Sequence, residues 1–262
     1  GWSRYNGNGV DLNRNFSREW RSTEWHPGAY AFSEPESIAI KEYSLLKRFT
    51  SSITMHSGSV IVNMPFDYGY TTDKVTSPVV PVENSLVKHM GLVYSTSGLF
   101  YTNPDMIRDS DVDQGTIFGG YWYYAYGTMQ DWSYLDAGCL DYTVEISDSF
   151  SPSTEQEIQR VYNYNRDSLV AFIKESGIGV YGKVTGDGTT GLKGVTITVK
   201  YNTGSSNGDL VIYSDSAGYY HRLLNAGSYD ITYELTGYTS QTITVSVTDS
   251  SPHVQKDITL VP

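Results

Sequence analysis

Two periodicities divide the chain near Gly177. Before it, apolar positions recur at helical spacing between short apolar runs; after it, they alternate every second residue in short stretches broken by Gly, Asp and Asn. We read a boundary there, giving parts 1–176 and 177–262. In the first part, Ser33-Glu34-Pro35-Glu36 is a helix start, with Ser33 as cap, Pro35 in the first turn and apolar spacing running on to Phe49. Residues 52–55 read as a buried strand that delivers His56 to its end, and a second apolar run, Val60-Ile61-Val62, is closed by Pro65. Helices are predicted over residues 82–95 and 155–174. Between them, Leu140, Tyr142, Val144 and Ile146 alternate with Asp141, Thr143 and Glu145, the signature of a strand with one apolar and one polar face. In the second part, seven short strands are predicted, at 180–184, 195–201, 211–214, 219–223, 227–235, 242–247 and near Ile258, which suits a β-sandwich.

Composition narrows the range of functions. With 262 residues and 39% apolar side chains the chain can bury a core, and its net charge of −11 leaves no basic stripe for nucleic acid, while cations would be attracted. One cysteine, Cys139, excludes an internal disulfide framework and a Cys-rich metal site. No apolar run is long enough to span a membrane, and the opening Gly-Trp-Ser-Arg is neither an initiator nor a signal peptide. Abundant Tyr, Ser, Thr and Gly with few Lys suggest an exported protein, secreted or periplasmic.

One buried-looking position calls for a chemical role. Glu145 lies within an otherwise apolar strand, where an unpaired carboxylate costs several kcal/mol, on the order of the penalty for an isolated buried ion, so it should face a cavity or a cation. Upstream, an arginine and an amide stand together in Gly9-Val10-Asp11-Leu12-Asn13-Arg14-Asn15-Phe16, a pair suited to holding a carboxylate bidentately.

That string, with His56-Ser57-Gly58-Ser59, Asn63-Met64-Pro65-Phe66-Asp67 and the block from Tyr121-Trp122-Tyr123 through Gln130-Asp131-Trp132 to Thr143-Val144-Glu145, resembles the zinc metallocarboxypeptidases. The likeness spans essentially the whole chain. It implies an α/β fold, a mixed central sheet flanked by helices and N-terminally incomplete, followed by an all-β transthyretin-like sandwich. By the resemblance, Asn13 and Arg14 clamp the terminal carboxylate of a peptide or protein substrate, Arg4 stabilises the oxyanion, Tyr123 closes over substrate, His56 is a zinc ligand and Glu145 is the general base acting on zinc-activated water. Asp67 and Gln130 stand where the regulatory, or N/E, subgroup recognises C-terminal Lys or Arg, and the same subgroup carries such a sandwich directly after its catalytic domain. The implied activity is a secreted exopeptidase using one zinc ion.

The chain departs from the family chiefly at one point, besides carrying Ser57 where the subgroup usually has Gly and Ser17 where Pro is common. The first two zinc ligands come from a His-x-x-Glu motif upstream of the Asn-Arg string, and none of His26, His56, His89, His221 or His253 has a glutamate three residues on. One ligand of three is expected to leave these residues metal-free and inactive by themselves, with a missing N-terminal segment as the natural partner. The alternative is a peptide-binding pseudoenzyme that keeps the carboxylate clamp, and a third reading gives the sandwich a docking role.

Overall fold

The computed structural model describes residues 3–72, 75–201 and 210–262, so Gly1 and Trp2 of the opening tetrapeptide lie outside the described residues. Its α/β part is built on a four-stranded mixed sheet. Strands β1 (Ser51–His56), β2 (Ser59–Met64), β5 (Thr116–Phe118) and β6 (Leu140–Ser147) stand in the order β1-β6-β2-β5, with β1/β6 and β2/β5 parallel and β2/β6 antiparallel. A hairpin, β3 (Gly69–Thr72) and β4 (Val75–Pro78), projects beside it.

The alternation in β6 separates two surroundings. Its apolar face meets helices α2 (Asn84–Thr96) and α5 (Glu155–Glu175): Tyr142 packs edge-on against Phe172 at 5.5 Å and donates its hydroxyl to the Val87 carbonyl at 2.8 Å. The polar face, with Asp141, Thr143 and Glu145, looks toward the 4–16 string and toward α4 (Met129–Trp132), which continues through residues Ser133–Ala137 as a wider helical turn. Helix α1 (Pro35–Lys47) lies on this side, where Phe16, Phe32 and Trp132 form a small aromatic cluster with Leu45 and Met129 packed on it. Helix α5 begins with a reciprocal cap, Thr154 accepting from the Glu157 amide and Glu157 from the Thr154 amide.

Several expectations are corrected. Ser33 is not the cap of α1: Glu34 occupies that position, the cap is backbone only, and Ser33 Oγ donates to the Glu34 carboxylate instead. The helix stops at Lys47 rather than Phe49, because Arg48 turns into the left-handed region at φ 54°. Strand β1 is not buried. Among the described residues it pairs with β6 on one side only, and Met55 is 47% exposed. Helix α1 likewise turns Ile40, Tyr43 and Leu46 to solvent.

The all-β part contains β7 (Gly179–Thr185) to β14 (Ile258–Thr259), one strand more among the described residues than the seven predicted; the addition is β13 (His253–Gln255). One sheet pairs β10 (Tyr219–Arg222), β7 and β13, with β14 also on β7; the other runs β12 (Gln241–Val247), β11 (Gly227–Glu234), β8 (Thr196–Tyr201), β9 (Ile212–Tyr213). Tyr220 and Tyr233 share a hydrogen bond of 2.8 Å between the sheets. The apolar core is continuous across the two parts, Leu86, Val87 and Phe172 belonging to one cluster with Ile178, Val180 and Leu223.

Candidate active site

Parallel pairing of β1 with β6 sets His56 directly beside Glu145, with Nδ1 and Oε1 3.8 Å apart. Glu145 is only 7% exposed, and its Oε2 has no hydrogen-bond partner. Burial pushes this carboxyl up to about 7, against a downward pull from Arg4. Desolvation, with the positive charge of Arg4 next, holds the His56 imidazole below its ordinary value, so it is a neutral ring with a lone pair to give.

Opposite stands the 4–16 string, held by two acids and an amide. Asp11 caps the short turn Leu12–Arg14 by accepting from the Asn13 amide and receives Arg4 Nε at 2.6 Å. Asn15, fully buried, donates to the carbonyls of Pro27 and Tyr30 and to Ser33 Oγ, tying the string to the loop before α1. Arg14 donates to the Asn13 carbonyl at 2.7 Å, with Glu24 3.5 Å from its Nε. Asn13 Oδ1 accepts from the Met129 amide at 2.8 Å, which commits that oxygen to the backbone. Gly127 allows this close approach, since a Cβ there would lie 2.6 Å from the Arg14 carbonyl oxygen, and its φ is +71°.

Between string and sheet lies an open cleft of about 280 Å³ lined by Arg4, Asp11, Asn13, Met55, His56 and Phe150. A larger surface cleft, about 620 Å³, runs along α5 from Glu155 to Tyr164 and contains none of the predicted residues. The chemistry, not the volume, singles out the smaller one.

Asp67 and Gln130 form a second, interior group. Gln130 is fully buried, accepts from the Thr143 amide at 2.6 Å and donates to Asp67 Oδ1 at 3.3 Å; Asn63 donates to the same oxygen at 2.8 Å. Asp67's own amide is received by Asp131 at 3.0 Å. Burial raises both carboxyls, and their mutual repulsion adds to the rise at Asp131. Asn63 Oδ1 is buried without a partner. Tyr123, half exposed, caps the C-terminal end of the short helix α3 (Gly119–Trp122); burial raises its hydroxyl, and Arg14, Asp67, Glu145 and Arg4 all act on it electrostatically. Of the eight predicted residues, Arg4, Asn13 and His56 line the cleft, Glu145 stands beside His56, and Asp67 and Gln130 meet in the interior group.

Sequence reasoning did not assign roles to Asp11, Asn15, Asn63 or Asp131, although each stands inside a string already singled out. Among the described residues no three or more His, Cys, Asp or Glu side chains group so as to hold a metal ion. The described residues therefore do not make a zinc site by themselves.

Residues 1–168 match the zinc carboxypeptidase family, and the chain belongs to that family. It is 32% identical over 99% of its length to carboxypeptidase SOL1 of Arabidopsis thaliana, of which it covers 50%, and 30% identical to the carboxypeptidase N catalytic chain of Rattus norvegicus over 95% of its own length and 56% of that protein. Against carboxypeptidase D of Mus musculus the identity is 33% over 98% of this chain, but only 18% of the relative is covered. The chain thus spans about half the length, or less, of these relatives. The crystal structure of thrombin activatable fibrinolysis inhibitor (TAFI) superposes with a TM-score of 0.50 and 21% identity, covering 64% of this chain and 44% of that one, a likeness of fold alone. No helix among the described residues is long and apolar enough to cross a membrane.

Proposed function

We propose that the protein to which this chain belongs is a carboxypeptidase that releases C-terminal Lys or Arg from peptides and proteins. The observation that carries the reading is the buried Glu145 oxygen without a hydrogen-bond partner, beside a His56 that lines a cleft with Arg4 and Asn13 on its other wall. Asn13 and Arg14 hold the substrate's carboxylate, the guanidinium fork matching its two oxygens. Glu145 takes a proton from the water that attacks the scissile carbonyl; Arg4 faces the oxyanion; the C–N bond then breaks as Glu145 returns the proton to the departing amine. A carboxyl raised to about 7 suits both halves of that transfer near neutral pH. Tyr123 covers the bound residue, and Asp67 and Gln130 receive its cationic end. The zinc of the family needs two ligands besides His56, which we assign to a segment outside the described residues that adds strands at the open edge of β1. Residues 1–176 form the catalytic domain in this reading and 177–262 a transthyretin-like sandwich, in a secreted or periplasmic protein.

A peptide binder without catalysis would use the same clamp, and the lack of a three-ligand group among the described residues favours it. Glu145 and Arg4 weigh the other way, since a binder needs neither base nor oxyanion donor. With the complete protein, hippuryl-Arg should be cleaved faster than hippuryl-Phe, and Glu145→Gln should lose at least about a hundredfold in kcat, within the usual range for a general base. Undiminished turnover in that variant rules out the base assignment; no release of either residue leaves the binder.

A further inference from the structure

The interior group of Asp67 and Gln130 depends on the helical segment that carries Gln130 and Asp131, and part of what holds that segment belongs to the all-β half. Tyr134 stands in the middle of it, fully buried. Its ring meets Phe66, the residue before Asp67, edge-on at 5.1 Å, and its hydroxyl donates to Glu83 Oε2 at 3.3 Å. The other Glu83 oxygen receives Nη2 of Arg222, on strand β10. Both charged side chains are at 0% exposure, and Arg222 also donates from Nη1 to the Leu223 carbonyl at 2.9 Å. At the segment's far end, the Gly138 turn lies so near β9 that a Cβ there would come within 2.4 Å of the Val211 carbonyl oxygen. The all-β part thus grips the segment at two places, both away from the cleft.

We infer that Arg222 is a positioning residue for the basic-residue pocket, acting through Glu83 and Tyr134 to fix Gln130 and Asp131. The inference rests on the reading of Asp67 and Gln130 as the specificity pair. A buried carboxylate has to be met by a fixed cation, and once Arg222 meets it Glu83 is a stationary acceptor. The Tyr134 hydroxyl then has a fixed acceptor to meet. Apolar packing would leave the segment free to roll about its axis; a directional hydrogen bond stops that roll. Gln130, one turn earlier, keeps Oε1 on the Thr143 amide and Nε2 on Asp67. Losing the register by an ångström would misplace the polar pocket more than the carboxylate clamp, which hangs mainly on Asp11 and Asn15 and meets the segment through the Met129 amide at its start.

The test uses the full chain and three variants, Tyr134→Phe, Arg222→Lys and Arg222→Met, titrated calorimetrically with hippuryl-Arg and hippuryl-Phe, with amide exchange followed at residues 129–138. Tyr134→Phe removes one hydroxyl and leaves the ion pair, so it guards against a variant that fails to fold. Positioning predicts exchange at 129–138 about tenfold faster in Tyr134→Phe, with protection in the β-strands of 179–259 unchanged. It also predicts that the preference for hippuryl-Arg falls about tenfold while hippuryl-Phe binds as before, and that Arg222→Lys recovers preference that Arg222→Met loses. Equal loss for both peptides, or unaltered exchange at 129–138 in Tyr134→Phe, overturns the inference. If the unmodified chain itself prefers neither peptide, the specificity reading fails, and the exchange result alone decides the positioning one.

Discussion

Asp141 shows how one buried group links the polar face of β6 to solution conditions. It is fully buried, accepts from Ser52 Oγ at 2.7 Å and Thr54 Oγ1 at 3.3 Å, and burial pushes its carboxyl up to about 6 despite those bonds. An acid raised on folding favours the protonated native state, so its contribution is full below the unfolded value near ~4 and is lost as pH rises to about 6. The whole change is of order 3 kcal/mol. Asp141→Asn removes the titration, so the stability difference between variant and parent should move in the variant's favour by roughly that amount between pH 4 and 7 in urea unfolding. Parallel curves would show that Asp141 stays ionised. Arg14 makes a different kind of prediction. Its fork is held by the Asn13 carbonyl, so Arg14→Lys keeps the charge and loses the bidentate geometry, and hippuryl-Arg and hippuryl-Phe should both bind about tenfold more weakly in calorimetry.

At the scale of elements, the reciprocal cap of α5 is the most local feature. Thr154→Ala should cost about 1 kcal/mol of chain stability in chemical denaturation, and a helix stabilised wholly by packing would show no loss. The helix itself was legible in the sequence, though its Thr154 cap was not, and the Ser33 motif pointed to the wrong cap for α1; β6 was legible because a strand whose two faces meet different surroundings must alternate. Strand β1 was misread because Ile53 and Met55 look like core residues, whereas burial depends on whether a neighbouring strand covers them. Short elements escaped for want of a period: Thr116–Phe118 has three residues between glycines, and His253–Gln255 follows a proline. At the site, residue types announced Asn13, Arg14 and Glu145. Asp11 and Asn15 escaped because their work is to hold backbone, which any turn-forming residue could be doing. Nothing local marks Arg222: alternation sets it on the same face of β10 as buried Tyr220, where a charge is not expected, and its partner Glu83 is 139 residues away in sequence.

For the molecule as a whole, the shared core means that neither half has an apolar interface of its own to close. A scan of the full chain in a calorimeter should therefore give one cooperative transition, and two well-separated peaks would show the halves to be independent. The buried ion pair adds a condition in time. Glu83 and Arg222 are 139 residues apart, so during synthesis at ~5–20 residues per second the carboxylate waits roughly 7 to 28 seconds for its partner. Until β10 emerges, the core cluster that holds Leu86 and Val87 is incomplete, and the α/β half stays loose near the ribosome, open to chaperones and to wrong contacts. The pair that locks the finished protein thus also ties the folding of its α/β half to a strand made 139 residues later.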